Sequence, residues 1–513
     1  MLSSPTRRVV LHVRGCLVRF VITKIGTDQT ALGCSVHDDQ AVDEGGRLAA
    51  FRQGLYGCFR AWPDALFEVS DAVAGAAHPV RSVAELMLEP GSRRGWGSLY
   101  QGLERGRIDV EAARDLLAAQ VRVITPGAAV MFAVDASTFP RPDTRFVGDL
   151  GRQYAADREG TGGAPSVPGW SMQWIAQVGL DPGGARSSWA LPVDVRRVGT
   201  AENANEVAAA QITDLTARLD AAGCIDHGRG AALFLLDSGY CPIYLTQQRP
   251  AGAALLVRLR GDRTFWSRPP EPVPGAGGRP RKHGARFALD KPGTWGPPDA
   301  EVTEDTGTGA TVRTRAWHAK HPRPRQRRKW EGTAVVEGTL IRREVHHRSG
   351  NVQVWWLWWA GPAEAFDLAM LAQAYPHRFT LEHTFRFDKQ DLGWTAHTPL
   401  DADQAQRWSW LILAAHAQLV LARPLVADRR LPWETRCAAH QLSPRRVRRG
   451  FRDITAALPS PARAPKPSRP GPGRPPGSPN KITRERKPVI TKGRAANTGH
   501  KRGQSPLAMN AQR

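Results

Sequence analysis

From residue 51 onwards the apolar positions Leu55, Phe59, Ala65, Leu66, Val69 and Val73 recur at helical spacing, whereas residues 1–45 hold no sustained period. The pattern predicts a flexible extension over 1–45 and helices after it. Ser82 followed by Glu85 reads as a capping box, and Asp109 precedes the apolar series Ala112, Leu116, Leu117 as a second helix start. A helical N-terminal domain is therefore expected over 46–122.

The period changes at 127–134, where an unbroken apolar run reads as a buried strand that delivers Asp135 at its end. Strands are expected at 172–180 and 188–195, then a helix at 201–222. The strand at 231–236 also ends in an acid, Asp237, and a strand at 253–259 completes a mixed α/β pattern over 123–260. Between 261 and 361 the texture shifts to Pro, Gly, Arg and Trp with short β-like pieces at 333–342 and 352–359, which predicts a mainly β insertion. Helical spacing returns at 363–374, 378–392 and 405–421, so 362–458 is expected to close the core.

Composition narrows the class. The 513 residues, 41% hydrophobic with 17 Trp, exclude a single small module and wholesale disorder. Lys and Arg number 71 against 48 acids, a net charge of +23, which favours a polyanionic partner. No apolar run is long enough for a membrane span. The six cysteines are scattered without zinc-ligand spacing and read as reduced and structural, placing the chain in the cytoplasm. No GxSxG and no phosphate-binding loop is present, which argues against serine hydrolase and ATPase chemistry.

The densest chemical signal lies at Tyr375-Pro-His-Arg378-Phe-Thr-Leu-Glu382, continuing to Lys389. Pro376 suits a first helical turn. At about 100° per residue Arg378, Glu382 and Lys389 share a stripe of about 40°, beside the apolar stripe of Leu381, Phe385 and Leu392. Taken alone, the helix is also compatible with a surface Arg378–Glu382 ion pair. Two facts favour chemistry: Lys389 is one of 11 lysines against 60 arginines, and two strand-terminal aspartates precede it. Three carboxylates, Asp135, Asp237 and Glu382, are the hard-oxygen set that two Mg²⁺ ions need for phosphoryl transfer, with Mn²⁺ as a substitute. Arg378 or Lys389 would then hold a phosphate nearby.

Here the sequence resembles the DDE transposases of bacterial insertion sequences, in the cut-and-paste class with the YREK signature. Tyr375, Arg378, Glu382 and Lys389 match its spacings, and Val134-Asp135-Ala136-Ser137-Thr138 and Leu236-Asp237-Ser238-Gly239-Tyr240 are similar to its aspartate contexts. The resemblance spans about residues 50–440. It implies an RNase H-like mixed-sheet catalytic core with a mainly β insertion before the last acid. It also implies metal-dependent cleavage at transposon ends, attack of the freed 3′-OH on target DNA, double-stranded DNA as partner, and a homodimer on DNA. By the same carry-over Tyr375, Arg378 and Lys389 contact the DNA backbone, and a Trp of the insertion stacks on a flipped base.

Residues 311–330 carry eight Lys and Arg and no acid, with Trp317 and Trp330 interleaved, which makes those two the candidate stacking residues. Arg445, Arg446, Arg448, Arg449 and Arg452 suggest a helix on DNA or a basic surface. Residues 459–513, with 13 basic residues and one acid, Glu485, read as a disordered tail that attracts phosphate. Two rivals remain at this level: a catalytically inactive, repurposed DNA-binding protein, and a nuclease that cuts without joining.

Overall fold

The computed structural model describes residues 7–13 and 16–22 as backbone, then 44–89, 92–124, 129–142, 147–154, 166–181, 188–225, 232–271, 281–306, 309–323, 335–438, 441–466, 477 and 487. Most of the basic tail and Trp330 lie outside the described residues. Strands β1 (Arg7–Val13) and β2 (Cys16–Ile22) pair antiparallel, with Val13 opposite Cys16, in a stretch where the hydrophobic pattern predicted no element.

A helical block follows: α1 (Glu44–Cys58), β3 (Phe59–Ala61), α2 (Pro63–Gly75), α3 (Val83–Leu86), α4 (Trp96–Arg105), β4 (Arg107–Ile108) and α5 (Val110–Ala118). The two expected caps form. Ser82 Oγ accepts from the Glu85 N–H at 3.2 Å, and Asp109 Oδ1 from the Ala112 N–H at 3.1 Å, satisfying donors that a helix start leaves open. The first helix begins at Glu44, earlier than the apolar period suggested, because Gly45 and Gly46 carry no side chain to register in it.

The core begins with β5 (Met131–Pro140), β6 (Gly151–Tyr154), β7 (Ser166–Val178) and β8 (Leu191–Val198). It continues with α6 (Ala204–Ala221), β9 (Ala232–Leu236), α7 (Pro242–Gln248) and β10 (Ala253–Leu259). After a short pair, β11 (Thr264–Trp266) and β12 (Arg286–Ala288), come β13 (Ala300–Asp305), β14 (Thr311–Lys320), β15 (Gly338–His346) and β16 (Val352–Ala360). The chain then forms α8 (Leu368–Ala374), a 3-10 turn over Tyr375–Arg378, α9 (Phe379–Gln390), α10 (Ala402–Ala422) and α11 (Pro444–Ala456).

A ten-stranded sheet organises the molecule, in the order β13-β14-β15-β16-β10-β9-β5-β7-β6, with β8 also on β7. Within it, β8-β7-β5-β9-β10 is the RNase H-like arrangement: three antiparallel strands followed by two that run parallel to the first. Residues 132–134 of β5 and all of β9 are buried on both faces, as central strands covered by helices must be. The segment read as an insertion is built into this sheet, because β16 pairs antiparallel with β10 from Leu255↔Ala360 to Leu259↔Trp356 and β15, β14 and β13 extend outward from it.

Helix α10 is buried on nearly every side over its central, mostly apolar stretch and packs against α1, α2 and β8. The helical N-terminal block thereby shares one hydrophobic core with the sheet. Among the described residues no helix is long and apolar enough to cross a membrane. Cys58, Cys224, Cys241 and Cys437 form no disulfide.

Candidate active site

Strand β5 does not stop where its apolar run stops. It continues through Asp135 to Pro140, paired throughout with β7, so Asp135 lies within the strand and not at its end as expected. What does end there is the parallel pairing with β9, whose last register partners are Val134 and Leu236. The next residues are Asp135, still within β5, and Asp237, the first residue after β9. Neighbouring strands lie about 5 Å apart, so this register sets the two carboxylates side by side at the edge of the covered core.

The local chain at Asp237 explains its orientation. Asp237 Oδ1 accepts from the Gly239 N–H at 2.9 Å, an Asx turn. A Cβ at position 239 would stand 3.0 Å from that same oxygen, so glycine leaves room for the carboxylate. Burial, then the like charge of Asp237, push the Asp135 carboxyl up to about 6, against the pull of Arg378 and of the Ala136 N–H. Tyr240, at the end of the same turn, is buried, and its hydroxyl is pushed well above the usual range by burial and then by Asp135 and Asp237. Its hydroxyl donates to Gln173 Oε1 at 3.3 Å, a buried contact that the sequence pattern around the aspartate did not reveal.

Arg378 brings the third carboxylate to this pair. Its Nη1 donates to Asp135 Oδ2 at 3.1 Å and its Nη2 to Glu382 Oε1 at 2.7 Å, while its guanidinium lies 4.7 Å from the Phe379 ring. The Arg378–Glu382 ion pair of a simple surface helix is therefore present, but it faces the sheet and is shared with Asp135. Lys389, half-buried two turns beyond Glu382 on α9, holds its Nζ 5.7 Å above the Trp394 ring.

Tyr375 is placed differently from a DNA-contacting residue. It is fully buried, packed edge-on to Trp355 at 5.5 Å, and its hydroxyl donates to the Leu236 carbonyl at 3.4 Å. Burial pushes its pKa up to about 12. It thus ties the turn that precedes α9 to the last residue of β9, immediately before Asp237. Trp317 is 1% exposed within a cluster of Phe287, Trp295 and Trp356, with centroids 5.3 to 6.1 Å away, so neither face is open to a base.

The basic residues of 311–330 are also partly spent: Arg313 Nε donates to Glu301 Oε1 at 2.7 Å and Arg315 pairs with Glu344. The same holds on α11, where Arg445 pairs with Asp391, Arg446 with Asp428, and Arg449 with Glu434, while Arg448 donates to the carbonyls of Val73 and His78.

Among the described residues no three His, Cys, Asp or Glu side chains converge closely enough to hold one metal ion. The donor chemistry nonetheless suits a hard dication: burial and then the repulsion of Asp237 oppose the charge on Asp135, and the cation that offsets them is a guanidinium placed between Asp135 and Glu382. A family model described as DDE superfamily endonuclease matches residues 54–324, more than half of the chain, including Asp135 and Asp237 and ending before Glu382. No curated protein matches the chain.

Proposed function

The chain belongs to the DDE superfamily endonucleases, and on that premise we propose that it is a DNA transposase of the cut-and-paste type in which Asp135, Asp237 and Glu382 form the catalytic triad. The observation that carries this reading is the β5–β9 register, which sets Asp135 beside Asp237, together with the Arg378 guanidinium that links Asp135 to Glu382. The spacing of Tyr375, Arg378, Glu382 and Lys389 supports the YREK class.

Asp135 and Asp237 are the residues that would hold Mg²⁺, or Mn²⁺ in its place, with Glu382 completing the set. When bound, the ions supply charge neutralisation at the scissile phosphate and an activated attacking oxygen. The chain's own residues do the rest. Tyr375 and Gly239 fix the Asp237 turn, and Tyr240, buried and bonded to Gln173, closes it on the core side. Arg378 is the movable cation of the site: a DNA phosphate competes with Glu382 and Asp135 for its two N–H pairs, and as it turns to the phosphate it leaves both carboxylates free. Lys389, two turns further along α9, extends the same positive edge towards the backbone of the duplex.

The test is strand transfer. Linear DNA carrying the element's own ends and a free 3′-OH, incubated with Mg²⁺ and a target plasmid, is expected to be joined by wild type and not by E382Q. Cutting without joining assigns the chain to the nucleases of the superfamily instead. A gel-filtration shift to a two-protein complex on paired ends is expected for the homodimeric assembly.

A further inference from the structure

Between α10 and α11 the chain presents Trp433 with 79% of its surface exposed, the most exposed large hydrophobic side chain among the described residues. A slack loop would explain such exposure, but this loop is pinned. The Glu434 carboxylate accepts from Arg449 Nη1 at 2.6 Å, from Arg449 Nη2 at 2.9 Å and from the Leu431 N–H at 2.8 Å. Asp428 is gripped by Arg446 at 3.0 and 2.6 Å, and the same guanidinium donates to the Thr435 carbonyl at 3.0 Å. The backbone on both sides of Trp433 is thus fastened to α11 while the indole stands in solvent.

The charge around it is one-sided. Asp428 and Glu434 are neutralised by Arg446 and Arg449, and Arg429 pairs with Asp453. Arg430 and Arg436, both exposed, have no ion-pair partner among the described residues. Arg430, Thr435 and Arg436, each within three residues of Trp433 in the chain, are exposed as well, and the only other exposed apolar neighbour in sequence is Pro432, unlike the contiguous apolar patch that a protein partner covers. An exposed indole with an exposed arginine three residues before it and another three residues after it in one pinned loop suits a nucleobase with its adjoining phosphates.

Helix α11 also ties the loop to the helix that carries Glu382. Arg445 and Arg449 lie one turn apart on α11; Arg445 holds Asp391, the C-terminal cap of the helix that carries Glu382 and Lys389, and Arg449 holds the Trp433 loop.

We propose that Trp433 is a stacking platform for an unpaired DNA base, with Arg430 and Arg436 on the adjoining phosphates. This rests on the reading that the chain acts on DNA, and it adds a contact with single-stranded DNA outside the carboxylate site. The experiment measures fluorescence anisotropy of a labelled oligo-dT of about 12 nucleotides and of a duplex of equal length, with wild type, W433A, W433F and R430A/R436A.

W433A is expected to weaken oligo-dT binding about tenfold while leaving duplex affinity unchanged, and W433F to retain most of the affinity. R430A/R436A is expected to lower the salt dependence of oligo-dT binding by about two charges. Oligo-dT binding by W433A equal to wild type, with the duplex still bound, overturns the stacking platform and leaves the DNA reading standing. Loss of wild-type self-association in W433A, seen by sedimentation, assigns the ring to an interface between copies and also overturns it. Wild type that binds neither DNA fails the DNA reading itself, and the platform with it.

Discussion

Arg378 stands 3.1 Å from Asp135 and 2.7 Å from Glu382, so one buried guanidinium joins the central strand of the sheet to the helix that carries the third acid. Removing it leaves Asp135 facing Asp237 without a counter-charge. In metal-free protein R378A is expected to lower stability by about 2 to 4 kcal/mol, below the roughly 3 to 5 kcal/mol of a fully buried pair because Glu382 is half exposed. Added Mn²⁺ should then raise the melting temperature of R378A more than that of wild type, because the cation binds where the guanidinium stood. Calorimetry with and without Mn²⁺ checks this; equal shifts in the two proteins contradict it.

Tyr375 separates positioning from contact. Its hydroxyl meets the Leu236 carbonyl inside the core, so Y375F is expected to cost about 1 kcal/mol of stability while leaving duplex affinity unchanged. A loss of affinity in a fully folded Y375F, measured by anisotropy, would return this residue to the DNA surface.

His397 predicts an acid sensitivity. It is 6% exposed, 5.3 Å from the Trp408 ring and 6.3 Å from Tyr100, and burial followed by the Arg141 charge lowers its pKa to about 4. Unfolded, it takes a proton below about 6.5; folded, it resists until about 4. Between those values the unfolded state binds more protons, so stability falls as pH falls, by about 3 kcal/mol in all. Asp135 acts in the opposite sense over a similar range, since its raised pKa lets the native state bind the proton first. The measurement is therefore a difference: urea unfolding of wild type and H397F at pH 7 and pH 4.5, with the variant expected to lose less.

The arginines of α11 should be silent towards DNA. Arg448 donates to Val73 O at 3.0 Å and His78 O at 3.1 Å, and burial lowers its pKa to about 10. R448M is expected to destabilise by about 2 to 3 kcal/mol. The slope of DNA affinity against salt should stay unchanged, where loss of a phosphate contact would reduce it by about one charge.

Much of this architecture was legible in the chain. The strand 253–259 falls where the apolar run puts β10, the caps at Ser82 and Asp109 form, and two apolar runs point to the neighbouring strands that bring Asp135 and Asp237 together. Continuation of β5 past Asp135 was hidden because Ala136, Ser137 and Thr138 break the apolar run while β7 still supplies ladder partners. The run of basic residues around Trp317 misled for a related reason: Glu301 and Glu344, which neutralise Arg313 and Arg315, come from neighbouring strands outside the counted window. Burial of Tyr375 depends on Trp355 and Leu236, both remote in sequence. Local counts see charge and period, and they do not see which partner the fold supplies.

On the proposed function, Asp135 and Asp237, brought together by strand register, do phosphoryl-transfer chemistry on DNA. Its most direct test is cleavage of a supercoiled plasmid carrying the element's ends, with Mg²⁺, by wild type and D135N. End-specific cutting is expected from wild type, and at least about a hundredfold less from a folded D135N that still binds DNA. Cutting by D135N at the wild-type rate would contradict it.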